Sequence, residues 1–157
     1  MPYVALRPVA DSDLDAIFEQ MRDPVSVLMA AFTTEDPNDR AAFESHMVKI
    51  MTSPDVTLRA ITCDDRLVGT IGRFVLEGVM EVTYWLDRLS WGKGIASRAL
   101  ELLLEDVAVR PIRARVASDN IGSLRVLQKV GFQTVGTEVS YAPARDAEIE
   151  ETILELS

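Results

Sequence analysis

The sequence has little cysteine, little histidine and no long hydrophobic run. Cys63 is the only cysteine among 157 residues, which excludes an intramolecular disulfide and a metal cluster built on thiolates. No apolar stretch approaches the length that crosses a bilayer, and residues 1–7 lack the apolar segment of a signal peptide. Because 48% of the residues are hydrophobic, the chain can form one core. We therefore expect a single cytoplasmic domain over residues 1–157.

Positive charge is also scarce. The chain has 16 Lys and Arg residues against 25 Asp and Glu residues, which gives a formal net charge of −9. An acidic surface is repelled by the phosphates of nucleic acids and of anionic membranes, so we expect neither as a partner. A positively charged substrate fits this charge better.

Segments of alternating and of helical periodicity follow one another in the order βααβββαβαββ. This order predicts an α/β (α+β) fold with a mixed, mostly antiparallel central sheet flanked by helices. The predicted strands span residues 3–9, 56–63, 67–76, 79–86, 113–117, 133–141 and 148–156. The predicted helices span residues 11–22, 33–51, 95–109 and 120–130, with Pro37 in the first turn of the second. Turns at Asp64-Asp65-Arg66 and Glu77-Gly78 predict hairpins.

The segment Trp91-Gly92-Lys93-Gly94-Ile95-Ala96 lies between a predicted strand and a predicted helix. Free N–H groups and the positive end of the helix dipole at such a helix start attract an anion. Glycine has no Cβ, so a phosphate can approach the backbone at Gly92 and Gly94. The loop is therefore a candidate phosphate site, and a tight turn is the alternative.

The spacing of the loop distinguishes between types of phosphate loop. A Walker loop needs a Ser or Thr after its Lys, whereas Lys93 is followed by Gly94. A dinucleotide fingerprint needs Gly where Ser97 stands. The remaining pattern is Arg/Gln-x-x-Gly-x-Gly/Ala, with Trp91 in the first place, Gly94 in the fourth and Ala96 in the sixth.

A second segment runs from Ser118 to Phe132. Ser118 or Asp119 is a candidate N-cap for a helix, and Gly131 suits a left-handed C-cap before the next strand. Its apolar positions recur at helical spacing and are Ile121, Leu124, Leu127 and Val130. A capped helix with a glycine stop would explain this segment without a ligand.

Together the two segments resemble the acetyl-CoA loop and the Asn-x-x-Ser/Ala…Lys-x-Gly-Phe motif of the GNAT family of N-acetyltransferases. The Trp-Gly-Lys-Gly sequence is similar to the branch of ribosomal-protein alanine acetyltransferases (RimJ/RimL-like). The order of elements agrees across nearly the whole chain. The resemblance implies the GNAT fold and a metal-free, acetyl-CoA-dependent N-acetyltransferase that acts on a primary amine by direct attack. A non-catalytic acyl-CoA-binding sensor or structural module is the alternative, and a homodimer stays open.

The same resemblance implies where acetyl-CoA binds. The glycine loop would hold the pyrophosphate, and residues 83–86 would pair with the pantetheine arm beside a gap between the strands at 79–86 and 113–117. The expected cofactor-binding residues are Tyr84, Trp85, Leu86, Trp91, Gly92, Lys93, Gly94, Ile95, Ala96, Asn120 and Ser123. Lys93, Arg98, Arg125 and Lys129 are candidates for extra positive charge near the phosphates.

The resemblance also suggests catalytic residues. Many members carry a Tyr where this chain has Leu127, so another group or water must protonate the leaving thiolate. Ser123 is favoured, and Tyr84 is a second possibility. Glu81 is the candidate base for the amine proton, directly or through water. Asp119 is an alternative, and His46 is a candidate contact of the acceptor.

The acceptor pocket is expected along residues 25–51. Its apolar candidates are Met29, Phe32, Phe43 and Met47, which helical spacing also makes candidates for the core. A protein N-terminus and a small-molecule amine place the same demands on the catalytic residues, and fold-level analogy does not choose between them.

Overall fold

A computed structural model describes residues 2–157 of the chain, with seven strands and five α-helices in that range. The strands are β1 Val4–Pro8, β2 Thr57–Cys63, β3 Arg66–Leu76, β4 Val79–Leu86, β5 Ile112–Ala117, β6 Gln133–Ala142 and β7 Ala147–Leu156. The helices are α1 Leu14–Met21, α2 Pro24–Ala30, α3 Arg40–Thr52, α4 Ile95–Leu104 and α5 Ile121–Val130. Short 3₁₀ turns at Asp11–Asp13 and Arg88–Ser90 precede α1 and the glycine loop.

All seven strands form one sheet in the order β1-β2-β3-β4-β5-β7-β6. Every neighbouring pair is antiparallel except β4 and β5, which run parallel. This arrangement confirms the predicted mixed, mostly antiparallel sheet. The predicted hairpin turns are also present, because Asp64, Asp65, Glu77 and Gly78 all have positive φ values. Two short polar or glycine residues at such turns let the chain reverse between strands.

The core lies between the sheet and the helices α4 and α5. Helix α4 buries its apolar face, including Leu100 and Leu103, against strand residues such as Val82 and Leu86. Helix α5 adds Leu127 to the same cluster. The helices α1 and α3 contact β2, β3 and β4 through the other face of the sheet, where the Trp85 indole donates to the Gln20 carbonyl at 3.0 Å. The central strand β4 is therefore covered on both faces.

The structure differs from the sequence-based prediction between β1 and β2, where it has three helices and not two. Asp23 accepts a hydrogen bond from the N–H of Ser26 at 3.0 Å, and Pro24 occupies the first turn, so the chain starts α2 where the prediction ended a helix. Asp39 caps α3, which begins at Arg40 and not near residue 33. The prediction that Pro37 lies in a helix was wrong.

Two further helix boundaries differ from the prediction. Helix α4 ends at Leu104 and not near residue 109, although Val107 beyond it is buried in the core. Asn120, and neither Ser118 nor Asp119, caps α5, since its side chain accepts a hydrogen bond from the N–H of Ser123. Gly131 closes α5 with φ 112°, as predicted. Within residues 2–157, no helix is long and apolar enough to cross a membrane.

Candidate active site

Strands β4 and β5 separate near the middle of the sheet. They pair only at Met80 with Ile112 and at Glu81 with Arg113, whereas β5 stays paired with β7 through Ala117. Beyond Glu81 the edge of β4 that faces β5 therefore has no strand partner. This gap lies where the sequence analysis expected the thioester arm to enter.

The glycine loop stands at the open end of the gap. Gly92 and Gly94 have φ values of 75° and 78°. Gly94 is the N-cap residue of α4 and has no side chain that could bond to the free N–H groups of the first turn. Within residues 2–157, the backbone N–H groups of residues 92–97 find no acceptor. The Trp91 indole donates to the Leu86 carbonyl at 3.0 Å, which ties the loop to the end of β4. The start of α4 thus presents a row of free donors and the positive end of its dipole.

The two loop glycines face empty space. A Cβ added at Gly92 or Gly94 meets nothing within 4 Å, whereas a Cβ at Gly69 would lie 2.1 Å from the Trp85 carbonyl oxygen. The positive φ values explain why glycine suits the loop conformation, and the open side leaves room for a ligand against the backbone. This space can admit a phosphate, and it also fits an exposed turn, since the turn glycine Gly78 is equally open.

A cavity of about 480 Å³ extends from the loop to α5, and we name it the cofactor cavity. All of the predicted cofactor-binding residues line it except Lys93, which is exposed outside it. Arg125 and Lys129 from α5 also line it and bring positive charge, but Arg98 does not. Its other wall residues are Ser26, Met29, Ala30, Ser90, Ser97, Gly122 and Val126.

Two parts of this wall escaped the sequence analysis. Residues from α2 were missed because the helix itself was missed, and the Asp23-Pro24 pair was the signal that marks its start. Gly122 and Val126 share one face of α5 with Arg125 and Lys129, at offsets of three, four and seven residues. That spacing was visible in the sequence and would have grouped the four residues.

A half-buried pair of hydroxyl groups lies where the two cavities of the site meet. The Tyr84 hydroxyl donates to Ser123 Oγ at 2.9 Å, and the Asn120 side chain accepts from the Ser123 N–H at 3.3 Å. Burial raises the pKa of Tyr84 above its ordinary value, although the bond to Ser123 opposes the rise, so the phenol stays protonated at neutral pH. Leu127 is fully buried beside this pair. Two hydroxyls considered separately in the sequence are therefore in contact.

A second cavity of about 690 Å³ joins the first, and we name it the acceptor cavity. The two share Ala30, Tyr84, Trp85, Asn120 and Ser123. The acceptor cavity is also lined by several residues that the sequence analysis expected there, namely Phe32, Phe43, His46 and Met47. Met29, expected in this group, lines the cofactor cavity instead.

Carboxylates surround one arginine on the sheet side of the acceptor cavity. Glu81 is 3% exposed, and its Oε2 accepts from Arg115 Nε at 3.2 Å. Nη1 of Arg115 also lies 3.0 Å from Oε2 of Glu138 and 3.8 Å from Oε1 of Glu151. Both Glu81 and Glu151 line the cavity, together with Arg115. This group, Glu81, Arg115, Glu138 and Glu151, is the carboxylate cluster referred to below.

Asp119 is a weaker candidate for the base than the sequence suggested. Both of its oxygens accept from Arg145, at 2.7 and 3.0 Å, and this pairing lowers the pKa of the carboxyl. The residue lines neither cavity. No group of His, Cys, Asp and Glu side chains in residues 2–157 has the arrangement of a metal site.

The chain matches a known protein family over most of its length. A family model described as an acetyltransferase (GNAT) domain matches residues 4–133. The chain belongs to the GNAT acetyltransferase family. The sequence-based resemblance to this family is therefore confirmed, and the sheet with its parted β4 and β5 is the GNAT fold.

Individual GNAT proteins are similar to parts or all of the chain. A probable N-acetyltransferase, YjcK of Bacillus subtilis (strain 168), is 37% identical over 81 residues, which are 46% of this chain and 45% of that protein. The chain spans about half the length of the curated relatives it matches.

Two solved structures share the fold over 98% of the chain. Mycobacterium smegmatis RimJ in complex with CoA-disulfide has a TM-score of 0.82 and 23% identity, with 81% of that protein covered. Spermidine N-acetyltransferase from Vibrio cholerae, in complex with CoA and spermine, has a TM-score of 0.81 and 17% identity, with 94% covered.

Proposed function

We propose that this GNAT protein transfers an acetyl group from acetyl-CoA to a primary amine, without a metal. The observation that carries the proposal is the row of free N–H groups at residues 92–97, which opens into a cavity that continues to an acidic acceptor cavity. A phosphate site and a cation-attracting pocket on either side of a strand gap suit a transfer from a nucleotide thioester to an amine.

The proposal assigns the cofactor cavity to CoA. The N–H groups of the loop bind the pyrophosphate, and Arg125 and Lys129 add positive charge for the nucleotide phosphates. The unpaired backbone of β4 after Glu81 offers hydrogen bonds to the amides of the pantetheine arm. The thioester then reaches Tyr84, Asn120 and Ser123, which both cavities share.

The chemistry needs no covalent enzyme intermediate. The ammonium group of the acceptor gives one proton to a carboxylate, and the proposal assigns this role to the pair Glu81 and Glu151. The amine nitrogen attacks the carbonyl carbon, the C–N bond forms, and the C–S bond breaks with its electron pair going to sulfur. The nitrogen loses its second proton to solvent. The sulfur takes the proton of the Ser123 hydroxyl, which accepts a hydrogen bond from Tyr84, and solvent returns a proton to Ser123.

The acceptor class follows from the charge of its cavity. The wall carries the carboxylates of Asp36, Asp39, Glu81 and Glu151 against the single guanidinium of Arg115. Such a cavity attracts an ammonium ion. A protein N-terminus and a small amine such as a polyamine both belong to this class. Because acetyl-CoA is a cytoplasmic metabolite, the proposed reaction takes place in the cytoplasm. Both cavities are lined by residues of one copy of the chain.

A second candidate is an acyl-CoA-binding sensor without turnover. The observation in its favour is Leu127, which stands where many relatives have a Tyr and is buried away from solvent. The hydrogen bond between Tyr84 and Ser123 favours the enzyme, because it holds a hydroxyl group where the proposal puts the sulfur of CoA.

The decisive experiment incubates the protein with acetyl-CoA and a panel of amines that includes peptides and polyamines. We expect free CoA thiol to appear in step with an acetylated amine detected by mass spectrometry. Tight CoA binding without thiol release above the uncatalysed rate on any amine would favour the sensor. Absence of CoA binding at millimolar concentration would contradict both candidates.

A further inference from the structure

The carboxylate cluster contains two carboxylates that face the acceptor cavity, and their surroundings differ. Glu81 is almost fully buried, and its Oε2 accepts a hydrogen bond from Arg115. Glu151 lies 3.8 Å from the same guanidinium, and among residues 2–157 its side chain makes no hydrogen bond. Glu151 is therefore the less tightly held of the two carboxylates, and its oxygens are free to accept a hydrogen bond from a ligand.

The sheet register places the backbones of Glu81 and Glu151 at different points of the gap, although both side chains reach Arg115. Glu81 lies opposite Arg113, at the last pairing between β4 and β5. Glu151 lies opposite Ala117, four residues further along β5, which is about 13 Å along the strand. The backbone of Glu151 therefore lies beside the open part of the gap, and the backbone of Glu81 lies at its closed end. The open part of the gap lies at the C-terminal end of β5, from which the chain continues to Asn120.

We propose that Glu151 is the catalytic residue that accepts the proton of the acceptor amine, and that Glu81 acts through Arg115 as a positioning residue. The inference rests on the proposed function. The ammonium ion gives one proton to a Glu151 oxygen, and the neutral nitrogen then uses its freed lone pair to attack the thioester carbon. After CoA thiol and amide have formed, Glu151 returns its proton to solvent, so the carboxylate is regenerated.

The environment of Glu151 agrees with this role. Burial raises the pKa of the Glu151 carboxyl, Arg115 opposes the rise, and the negative charges of Glu138 and Glu81 add to it. The raised value brings the carboxyl closer to the pH at which an enzyme transfers protons. Arg115 on β5 lies next to Glu151 and also contacts Glu81 on β4 and Glu138 on β6. The other titratable groups that line the acceptor cavity are Tyr84, His46, Asp36 and Asp39.

The test compares Glu151→Gln, Glu81→Gln and the matched control Glu150→Gln. Glu150 is the neighbour of Glu151 on β7, but its side chain is exposed and lines neither cavity. Thermal unfolding confirms that each variant is folded. The measurements are the dissociation constant of CoA and the pH profile of kcat/KM, with the amine that gives the highest rate.

For Glu151→Gln we expect kcat/KM to fall by about 10²- to 10⁴-fold at neutral pH, with CoA binding unchanged. The rate should recover in part at high pH, where more of the amine is neutral. Glu81→Gln frees Arg115 to interact with Glu151 and removes a negative neighbour, and both changes lower the pKa of Glu151. The fall of kcat/KM on the acid side of the pH profile, its acid limb, should therefore move to lower pH. A merely structural role of Glu81 would not move that limb. Glu150→Gln should match the wild type.

Three results would overturn the inference. The first is a Glu151→Gln variant whose activity and acid limb match the wild type. The second is a loss confined to Glu81→Gln, which would make Glu81 the base. The third is independent of turnover: a Glu151 carboxyl that titrates at or below the ordinary glutamate value in a ¹³C NMR titration of the free protein. A wild type that releases no thiol with any amine would contradict the proposed function itself and the base role with it.

Discussion

Replacement of Gly94 by alanine separates the phosphate-binding role of the glycine loop from its backbone conformation. Gly94 has φ 78°, and a Cβ there meets no atom within 4 Å. Gly78, in the turn between β3 and β4, has φ 80° and equally open space, and it lines neither cavity. Gly78→Ala is therefore a control with the same backbone strain and no ligand to obstruct.

The two variants should lose similar stability. A left-handed alanine costs about 1–2 kcal/mol, which is offset by about 0.4–1 kcal/mol because alanine restricts the unfolded chain. The net loss of about 1 kcal/mol should lower Tm by roughly 2–4 °C in a protein of this size. CoA binding should differ, because the added methyl at Gly94 stands on the open side of the free N–H groups.

The expected loss of affinity follows from the hydrogen bonds that the methyl obstructs. The loss of two hydrogen bonds to a charged phosphate, at about 1.5 kcal/mol each, costs about 3 kcal/mol of binding free energy. The dissociation constant of CoA should therefore rise roughly 150-fold. Isothermal titration calorimetry with CoA measures it for the wild type, Gly94→Ala and Gly78→Ala. If Gly94→Ala binds CoA as the wild type does, or if Gly78→Ala weakens binding equally, the loop is a turn and not a phosphate cradle.

Three further outcomes are expected. Tyr84→Phe should lower kcat about tenfold with unchanged CoA affinity, because one hydrogen bond to Ser123 is worth about 1.5 kcal/mol; equal kcat would remove Tyr84 from the reaction. Asp13→Asn should lower the unfolding free energy by about 1–2 kcal/mol at pH 7. The hydrogen bond from Arg7 lowers the pKa of Asp13, so the ion pair stabilises the fold above the ordinary Asp pKa and stops doing so as pH falls through the lowered value. Urea unfolding should therefore show a difference between Asp13→Asn and the wild type at pH 7 and none at pH 2. CoA at 100 times its dissociation constant should add about 2.7 kcal/mol to stability equally with and without EDTA, and a gain that EDTA abolishes would indicate a metal.

The parts of the fold that depend on local signals were predictable. Strand β4 begins after the Glu77-Gly78 turn and ends before the glycine loop, and both signals stand in the sequence. Gly131 likewise marked the end of α5 through its left-handed conformation. The residues of the two motifs also line one cavity, because the course of a loop and of the helix after it depends on spacing that one chain segment fixes.

The parts that depend on distant contacts were not predictable. The Asp23-Pro24 pair marks the start of α2, but the ion pair from Arg88 to Asp23 joins residues 65 positions apart in the sequence. The bond between Tyr84 and Ser123 spans 39 residues. The Glu81 carboxylate was a reasonable candidate base from strand alternation, but its pairing with Arg115 appears only when β4 and β5 are side by side.

The proposed function requires that CoA binds in the gap between β4 and β5 with its pyrophosphate on the start of α4. An NMR titration of the ¹⁵N-labelled protein with CoA tests it directly, because each backbone amide reports on its own environment. We predict that the amides of residues 92–97 show the largest shifts, and that the amides of Tyr84 and Ser123 shift with them. A titration that leaves residues 92–97 unchanged while other parts of the chain respond, or that changes no amide at millimolar CoA, would contradict the account.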